Sequence, residues 1–438
     1  MGKHLINSQN GAKLSPVEIA ANFDDLHPAL NAEQVSVQAT RCLFCYDAPC
    51  VTACPTAIDI PKFIRQLATE NVTGAARTIL SANIMGGTCA RACPTEVLCE
   101  QKCVLNMGEE QPIEIGALQR HAVDHLLAQN SAHPFARAVG TGKHIAVLGS
   151  GPAGLTCAHE LAKQGHSVEI FESQDKPGGL NEYGLAAYKM VDNFAAREAA
   201  FILEIGGINI QTGKALGQNL SLEQYRTQFD AVFIGVGLAR SNQLGIAGED
   251  LPGVHDAIQF ISALRQSTDK SKLAVGDQVI VIGGGNTAID AAVQAKRLGA
   301  RQVDLVYRRG EAQMGATEWE RDLAKINGVN LHLWAKPMQI NGADKVASVT
   351  FESCKLENGK LVGTGQTNEV PTDMVLKAVG QSMNESALAG LTVHKGKITV
   401  DAHGQTSLPG VFAGGDCIAS GEDLTVQAVQ DCKRAAAG

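Results

Sequence analysis

Apolar positions follow two different rhythms along this chain, and the change falls near residue 143. Before it they recur at three- and four-residue intervals. Ile60–Leu67 (IPKFIRQL) has this helical spacing with a proline near its first turn. Gly74–Ala82 reads as a second helix, and Pro112–Gln129 (PIEIGALQRHAVDHLLAQ) as a longer amphipathic one. Shorter helices are expected at Pro16–Phe23 and Ala32–Thr40. No strand pattern precedes residue 143, so residues 1–135 are expected to form a small helical domain. Ser131–Thr141 (SAHPFARAVGT) reads as a linker.

After the linker, short apolar runs alternate with glycine turns. His144–Leu148 (HIAVL) predicts a buried strand, followed by Gly149-x-Gly151-x-x-Gly154, a helix through Lys163 and a strand at Ser167–Phe171. The same strand–turn–helix–strand unit recurs at Gln278–Arg309. Gly410–Asp416 (GVFAGGD) is a short strand running into a glycine turn, with a last helix from about Leu424. This alternation predicts an α/β protein with parallel sheets and two Rossmann-like domains, the second inserted in the first. The expected boundaries are 142–240 with 376–438 for the first domain and 241–375 for the second.

Composition narrows the functional classes. The chain has 438 residues, 45% of them hydrophobic and 19% charged, which suits a globular protein with several cores. A formal net charge of -8 argues against nucleic-acid binding by bulk electrostatics. No signal peptide and no long apolar run is visible, so the expected compartment is the cytoplasm and no membrane association is expected. There, clustered cysteines bind metal or do redox chemistry more often than they form disulfides.

Eight of the twelve cysteines lie between Arg41 and Cys103, spaced Cys42-x2-Cys45-x4-Cys50-x3-Cys54-Pro55 and Cys89-x3-Cys93-x5-Cys99-x3-Cys103. Thiolates this close in sequence let one loop wrap an inorganic cluster, with the proline turning the chain away after the last ligand. Structural zinc or disulfides are the alternatives. Cys157, Cys354, Cys417 and Cys432 are isolated and expected as small buried residues.

The two glycine turns differ in the residues that end the next strand. In the first, Gly149 makes the turn, Gly151 admits a pyrophosphate and Gly154 lets helix and strand pack closely. Glu172 ends the next strand, where a carboxylate accepts from a ribose hydroxyl. The second reads Gly283-Gly284-Gly285-Asn286-Thr287-Ala288, and its next strand (Val303–Tyr307) ends in Arg308 and Arg309, which suit a 2′-phosphate. NADPH is thereby modestly favoured over NADH. Gly414-Gly415-Asp416 places an acid where it can meet a flavin's ribityl hydroxyl; with Glu172 it favours FAD at the first turn.

Fingerprint, inserted fingerprint and closing AGGD, behind a cysteine block, resemble the glutamate synthase small subunit and the flavin half of dihydropyrimidine dehydrogenase. CARACPTEVLCEQKC and the Gln119 of IGALQ are closer to the second. The resemblance implies two [4Fe-4S] clusters, one on Cys42, Cys45, Cys50 and Gln119, the other on Cys54, Cys93, Cys99 and Cys103, with Cys89 outside both. It implies FAD contacts at Gly149, Gly151, Pro152, Ala153, Gly154, Leu155, Glu172 and Gly178-Gly179-Leu180. Lys189, Gly415, Asp416, Thr425 and Val426 complete that implied set. It implies NAD(P) contacts at Gly284–Thr287, Arg308, Arg309 and Ala378-Val379-Gly380. The activity it implies is electron input to a dihydropyrimidine dehydrogenase, passing hydride from NAD(P)H to FAD and electrons to a partner chain holding FMN and iron–sulfur centres. A glutamate synthase small subunit is the alternative, and a redox-inactive, zinc-holding subunit a more distant one.

Overall fold

The computed structural model describes residues 13–108, 110–129, 132–384 and 389–438. Its chain divides into two compact units: His27–Glu182 with Asp192–Arg240 and Ser382–Gly438, and the segment ending at Leu26 with Tyr183–Val191 and Ser241–Gln381.

In the first of these units, helices form as the spacing predicts. Ile60–Ala68 buries Ile60, Phe63, Ile64 and Leu67 on one stripe, and Asp59 caps it by accepting from the Lys62 N–H at 3.1 Å. Ala32–Thr40, Val72–Ala82 and Ile115–Ala128 complete the main helical scaffold, with the short Gly86–Ala92 helix between them. Five parallel strands come next, in the order Val411–Ala413, Ala231–Ile234, His144–Leu148, Ser167–Phe171, Ile208–Gln211. This is the doubly wound arrangement that the alternating pattern requires.

The helical region has no core of its own. One hydrophobic cluster runs from Ile64, Ile79 and Leu118 into Leu155, Ile170, Val429 and Cys432 of the α/β part. The expected linker is likewise not free chain. Ser131 lies outside the described residues, but Ala138 N–H donates to the Lys163 carbonyl at 3.0 Å and Thr141 N–H to the Gly165 carbonyl at 3.1 Å. The His133 ring packs 4.7 Å from Phe201. Two aromatic side chains with buried partners are enough to lay the segment down.

The other unit carries a second five-stranded parallel sheet, ordered Val254–Asp256, Met374–Ala378, Gln278–Gly283, Gln302–Tyr307, Asn330–Leu333. Beside it lies an antiparallel sheet of Ala335–Gly342, Val346–Glu357 and Lys360–Pro371, which the sequence pattern does not announce. The helix Pro16–Asn22 also belongs here rather than with the cysteine helices, because Asn22 and Arg297 exchange hydrogen bonds at 3.1 and 2.9 Å.

A carboxylate ties the cysteine helices to the α/β part of the first unit. Glu198, 2% exposed on the Phe194–Leu203 helix, accepts from the backbone N–H groups of Gly87 (2.8 Å) and Thr88 (2.9 Å) and from the Thr88 hydroxyl. Burial outweighs these donors and the nearby Arg91, and pushes its pKa up to about 7. Folding therefore raises this pKa from an ordinary 4.5. Between those values the native protein holds a proton the unfolded chain has released, so stability falls as pH rises through the window. Urea unfolding at stepped pH should show that fall, and a shallower one in Glu198→Gln.

Candidate redox and nucleotide sites

The cysteines come together in two sets, though not in the expected partition. Cys42 interacts electrostatically with Cys45 and Cys103, and Cys50 with Cys42 and Cys103. These four line one narrow apolar cavity with Ile60, Ile64, Ile113 and Ile115. Cys93 meets Cys89, Cys99 and Cys54, and Cys99 meets Cys54 and then Cys50, which links the sets. Cys103 thus belongs with Cys42, Cys45 and Cys50, not with Cys54. The 3-10 turn at Val104–Gly108 and the return to Ile113 carry it to that side.

Gln119 is held against the start of the Gly86–Ala92 helix. Its Nε2 donates to the Gly86 carbonyl at 2.7 Å, at the start of the helix that ends beside Cys93. With the amide nitrogen committed, the amide oxygen is the end left to bind a metal. Cys89 is buried and hydrogen-bonded to Cys93, so the second set has three thiols and two neighbours for a fourth position.

Burial pushes the Cys50 thiol up to about 11, with Cys42 and Cys103 adding to it, and raises Cys42 and Cys99 as well. The Cys89 hydrogen bond, then burial, raises Cys93. Thiols in such surroundings stay protonated unless a cation stabilises the thiolates, and iron supplies that charge. Among the described residues no three Cys, His, Asp or Glu groups close tightly around a single-ion point. Sets of soft thiol donors are of the chemical kind that iron–sulfur clusters take. The other four cysteines are buried.

In the same unit, the first glycine turn is built for close approach. A Cβ on Gly154 would stand 1.9 Å from the Gly149 carbonyl oxygen, and one on Gly179 (φ +54°) 2.6 Å from the Gly151 Cα. Within the Gly149–Leu155 turn and first helical turn, which includes Ala153, Gly151 and Pro152 approach Gly179 directly, and Gly178 N–H donates to the Ser150 carbonyl at 2.9 Å. The helix from Pro152 begins with no side-chain cap, leaving its first N–H groups for an anion. Glu172 sits at this loop, 5% exposed, accepting from Ser150 N–H at 2.8 Å and Gln174 N–H at 2.7 Å.

Burial pushes Asp416 up to about 6, with Asp423 adding to it. Thr425, opening the last helix beside buried Val426, donates from its hydroxyl to Asn181 at 3.0 Å; Asn181 comes directly after Leu180 and reaches the Met85 sulfur at 3.5 Å. A chain of side chains thus runs from the nucleotide cradle to the Gly86–Ala92 helix. The fit to FAD rests on the empty space these glycines keep and the uncapped helix start.

Lys189 lies in the other unit, 8% exposed, with its ammonium 2.8 Å from Asp290 and 2.5 Å from Glu320. Burial alone would depress its pKa, but the two carboxylates outweigh it and raise it. Two buried carboxylates of the same unit thus neutralise its charge.

The second fingerprint lies at the carboxyl edge of its sheet. Gly283 pairs with Ala378, so Gly283-Gly284-Gly285 and Ala378-Val379-Gly380 share one rim, with Arg308 and Arg309 exposed at the end of the neighbouring strand. Gly285 caps the Asn286–Arg297 helix without a side-chain bond, and Asn286, Thr287 and Ala288 form its first turn. That rim can take a pyrophosphate, with two guanidinium groups for further anionic oxygens.

Glu198 and Asn181 were missed by sequence reasoning. Neither stands in a motif; each matters through residues about 100 positions away.

The sequence profile described as pyridine nucleotide-disulphide oxidoreductase matches residues 143–432. A profile described as dihydropyrimidine dehydrogenase domain II, 4Fe-4S cluster, matches residues 19–131. The NAD-dependent dihydropyrimidine dehydrogenase subunit PreT of Escherichia coli (strain K12) is 34% identical, covering 94% of this chain and 95% of that one. The glutamate synthase [NADPH] small chain of Halomonas elongata is 31% identical, covering 96% and 93%. Among solved structures, FprA from Mycobacterium tuberculosis superposes with a TM-score of 0.58 at 20% identity, over 67% of this chain and 83% of that one. A Lactococcus lactis thioredoxin reductase gives 0.54 at 24%, over 67% and 97%. These two show the fold.

Four substitutions test the site. Gly154→Ala should yield protein without the flavin absorbance near ~450 nm, since the methyl group has no room. Lys189→Met should keep its flavin but lower the thermal midpoint, because two buried carboxylates lose their counter-charge, at ~3–5 kcal/mol. Gln119→Ala should change one cluster's EPR signal, whereas Cys89→Ser should leave both signals in place; the reverse result would transfer the fourth position to Cys89.

Proposed function

The chain belongs to the pyridine nucleotide-disulphide oxidoreductase family, and from that premise we propose that it takes hydride from a nicotinamide dinucleotide and delivers single electrons to a separate, pyrimidine-reducing chain. It is a flavoprotein oxidoreductase with an amino-terminal 4Fe-4S domain. The observation that carries the reading is the shared core of the cysteine helices and the first nucleotide fold. FAD, which accepts hydride and releases single electrons, and two [4Fe-4S] clusters, which accept one electron at a time, supply the redox chemistry when bound.

The residues' own work is positioning. Gly149–Leu155 and Gly178–Leu180 would hold the pyrophosphate of FAD and Glu172 its ribose. Asp416, Thr425 and Val426 would border the ribityl chain and ring. Gly283–Ala288 and Ala378–Gly380 would hold the nicotinamide dinucleotide. On the cysteine side the reading assigns Cys42, Cys45, Cys50 and Cys103 to one cluster, and Cys54, Cys93, Cys99 and Gln119 to the other. The second set lies on the side of the Met85–Asn181–Thr425 contacts and would be first to receive electrons.

The subunit name of the 34%-identical PreT relatives supports a partner chain. All twelve cysteines are unpaired, which suits a reducing cytoplasm, and no described helix is long and apolar enough to cross a membrane. A glutamate synthase small chain is the second reading, favoured by relatives of that name over nearly the same length. Anaerobic co-purification with identification of the partner decides between them. A partner resembling an FMN-binding pyrimidine reductase supports the first reading, and a large glutamate synthase subunit overturns it. At the dinucleotide rim, replacing Arg308 and Arg309 together by Gln should lower the kcat/KM ratio of NADPH to NADH about tenfold, the loss of one charge-assisted hydrogen bond of ~1.5 kcal/mol.

A further inference from the structure

We infer that Asn83 and Lys433 form a polar shell on the second thiol set that raises the reduction potential of the cluster held there. The inference rests on the proposed presence of that cluster.

Asn83 is fully buried between the Val72–Ala82 helix and the Gly86–Ala92 helix. Its Oδ1 accepts from Met85 N–H at 3.0 Å and its carbonyl accepts from Gly86 N–H at 3.0 Å, which fixes the turn. Its Nδ2 has no hydrogen-bond partner among the described residues. An amide N–H buried without an acceptor costs ~1–3 kcal/mol. Such a donor is retained where something absent from the polypeptide accepts from it. Gly86, three residues on, takes the hydrogen bond that orients Gln119, and the helix it opens ends at Cys93.

Lys433 reaches the same turn from the last helix of the nucleotide fold. Its ammonium donates to the Ala82 carbonyl at 2.7 Å, one residue from Asn83. The charged and titratable groups it faces are Glu160, Lys163 and Cys54, and Cys54 is a thiol of the second set. A cation and an N–H donor beside cluster sulfurs both favour the electron-rich form, because they stabilise the added negative charge. Neither residue is needed as a ligand, so both act through the electrostatics of the set.

The test uses the full-length protein, purified anaerobically with its FAD, iron and sulfide contents measured, and a redox titration monitored by EPR. Lys433→Met removes the charge. Asn83→Asp removes the donor while keeping the acceptor that Met85 N–H requires. Each should move one cluster's midpoint to lower potential and leave the other cluster and the FAD unmoved; Lys433→Arg should retain the wild-type value. Should Lys433→Met lose iron, Lys433→Gln keeps a donor for the Ala82 carbonyl without the charge and is read the same way. Full iron content with unmoved midpoints overturns the inference and leaves the proposed function standing. A wild-type protein that holds FAD but no iron overturns both.

Discussion

The fold depends on a shortage of apolar surface in the cysteine region. Its helices are short and must leave space around two sets of thiols, so they cannot enclose a core of their own. They borrow one, extending the apolar layer of the first nucleotide fold through Ile79, Leu118, Leu155 and Val429. The arrangement near the redox groups is a result of this. Glu198 and Lys433 cross from the nucleotide fold to the turn around Asn83 and Gly87 because the layers there are already in contact. The spacing between the first nucleotide fold and the thiols is thus set by packing.

Local repetition was the legible part of the sequence. Strand–turn–helix units announce themselves through glycine spacing and apolar runs, and the parallel order of both sheets is a consequence of them. Helical stripes such as Ile60, Phe63, Ile64 and Leu67 were equally plain. The antiparallel Ala335–Pro371 sheet was not, because its last strand is almost wholly exposed and has no alternating pattern to read. The membership of Pro16–Asn22 in the inserted domain was hidden for another reason: its partner, Arg297, lies 275 residues away.

The site divides along the same line. Residue types suited to clusters could be read from spacing, but which thiols meet could not. Cys103 lines one cavity with Cys42, Cys45 and Cys50 because chain return, not sequence distance, decides which thiols come together. Lys189 shows what spacing leaves out: two acids on distant helices hold its ammonium. A single sequence reports chemistry more readily than company.

The interlock of Asn22 with Arg297 has a kinetic consequence. The helix Pro16–Asn22 leaves the ribosome early, but its buried partners emerge only after some 275 further residues. At roughly 5–20 residues per second, that is a wait of about 15–55 s. Meanwhile the cysteine helices and the first strands of the nucleotide fold are already exposed and able to collapse on one another. Assembly of the inserted unit is therefore a late event, closed by a segment made some 275 residues earlier.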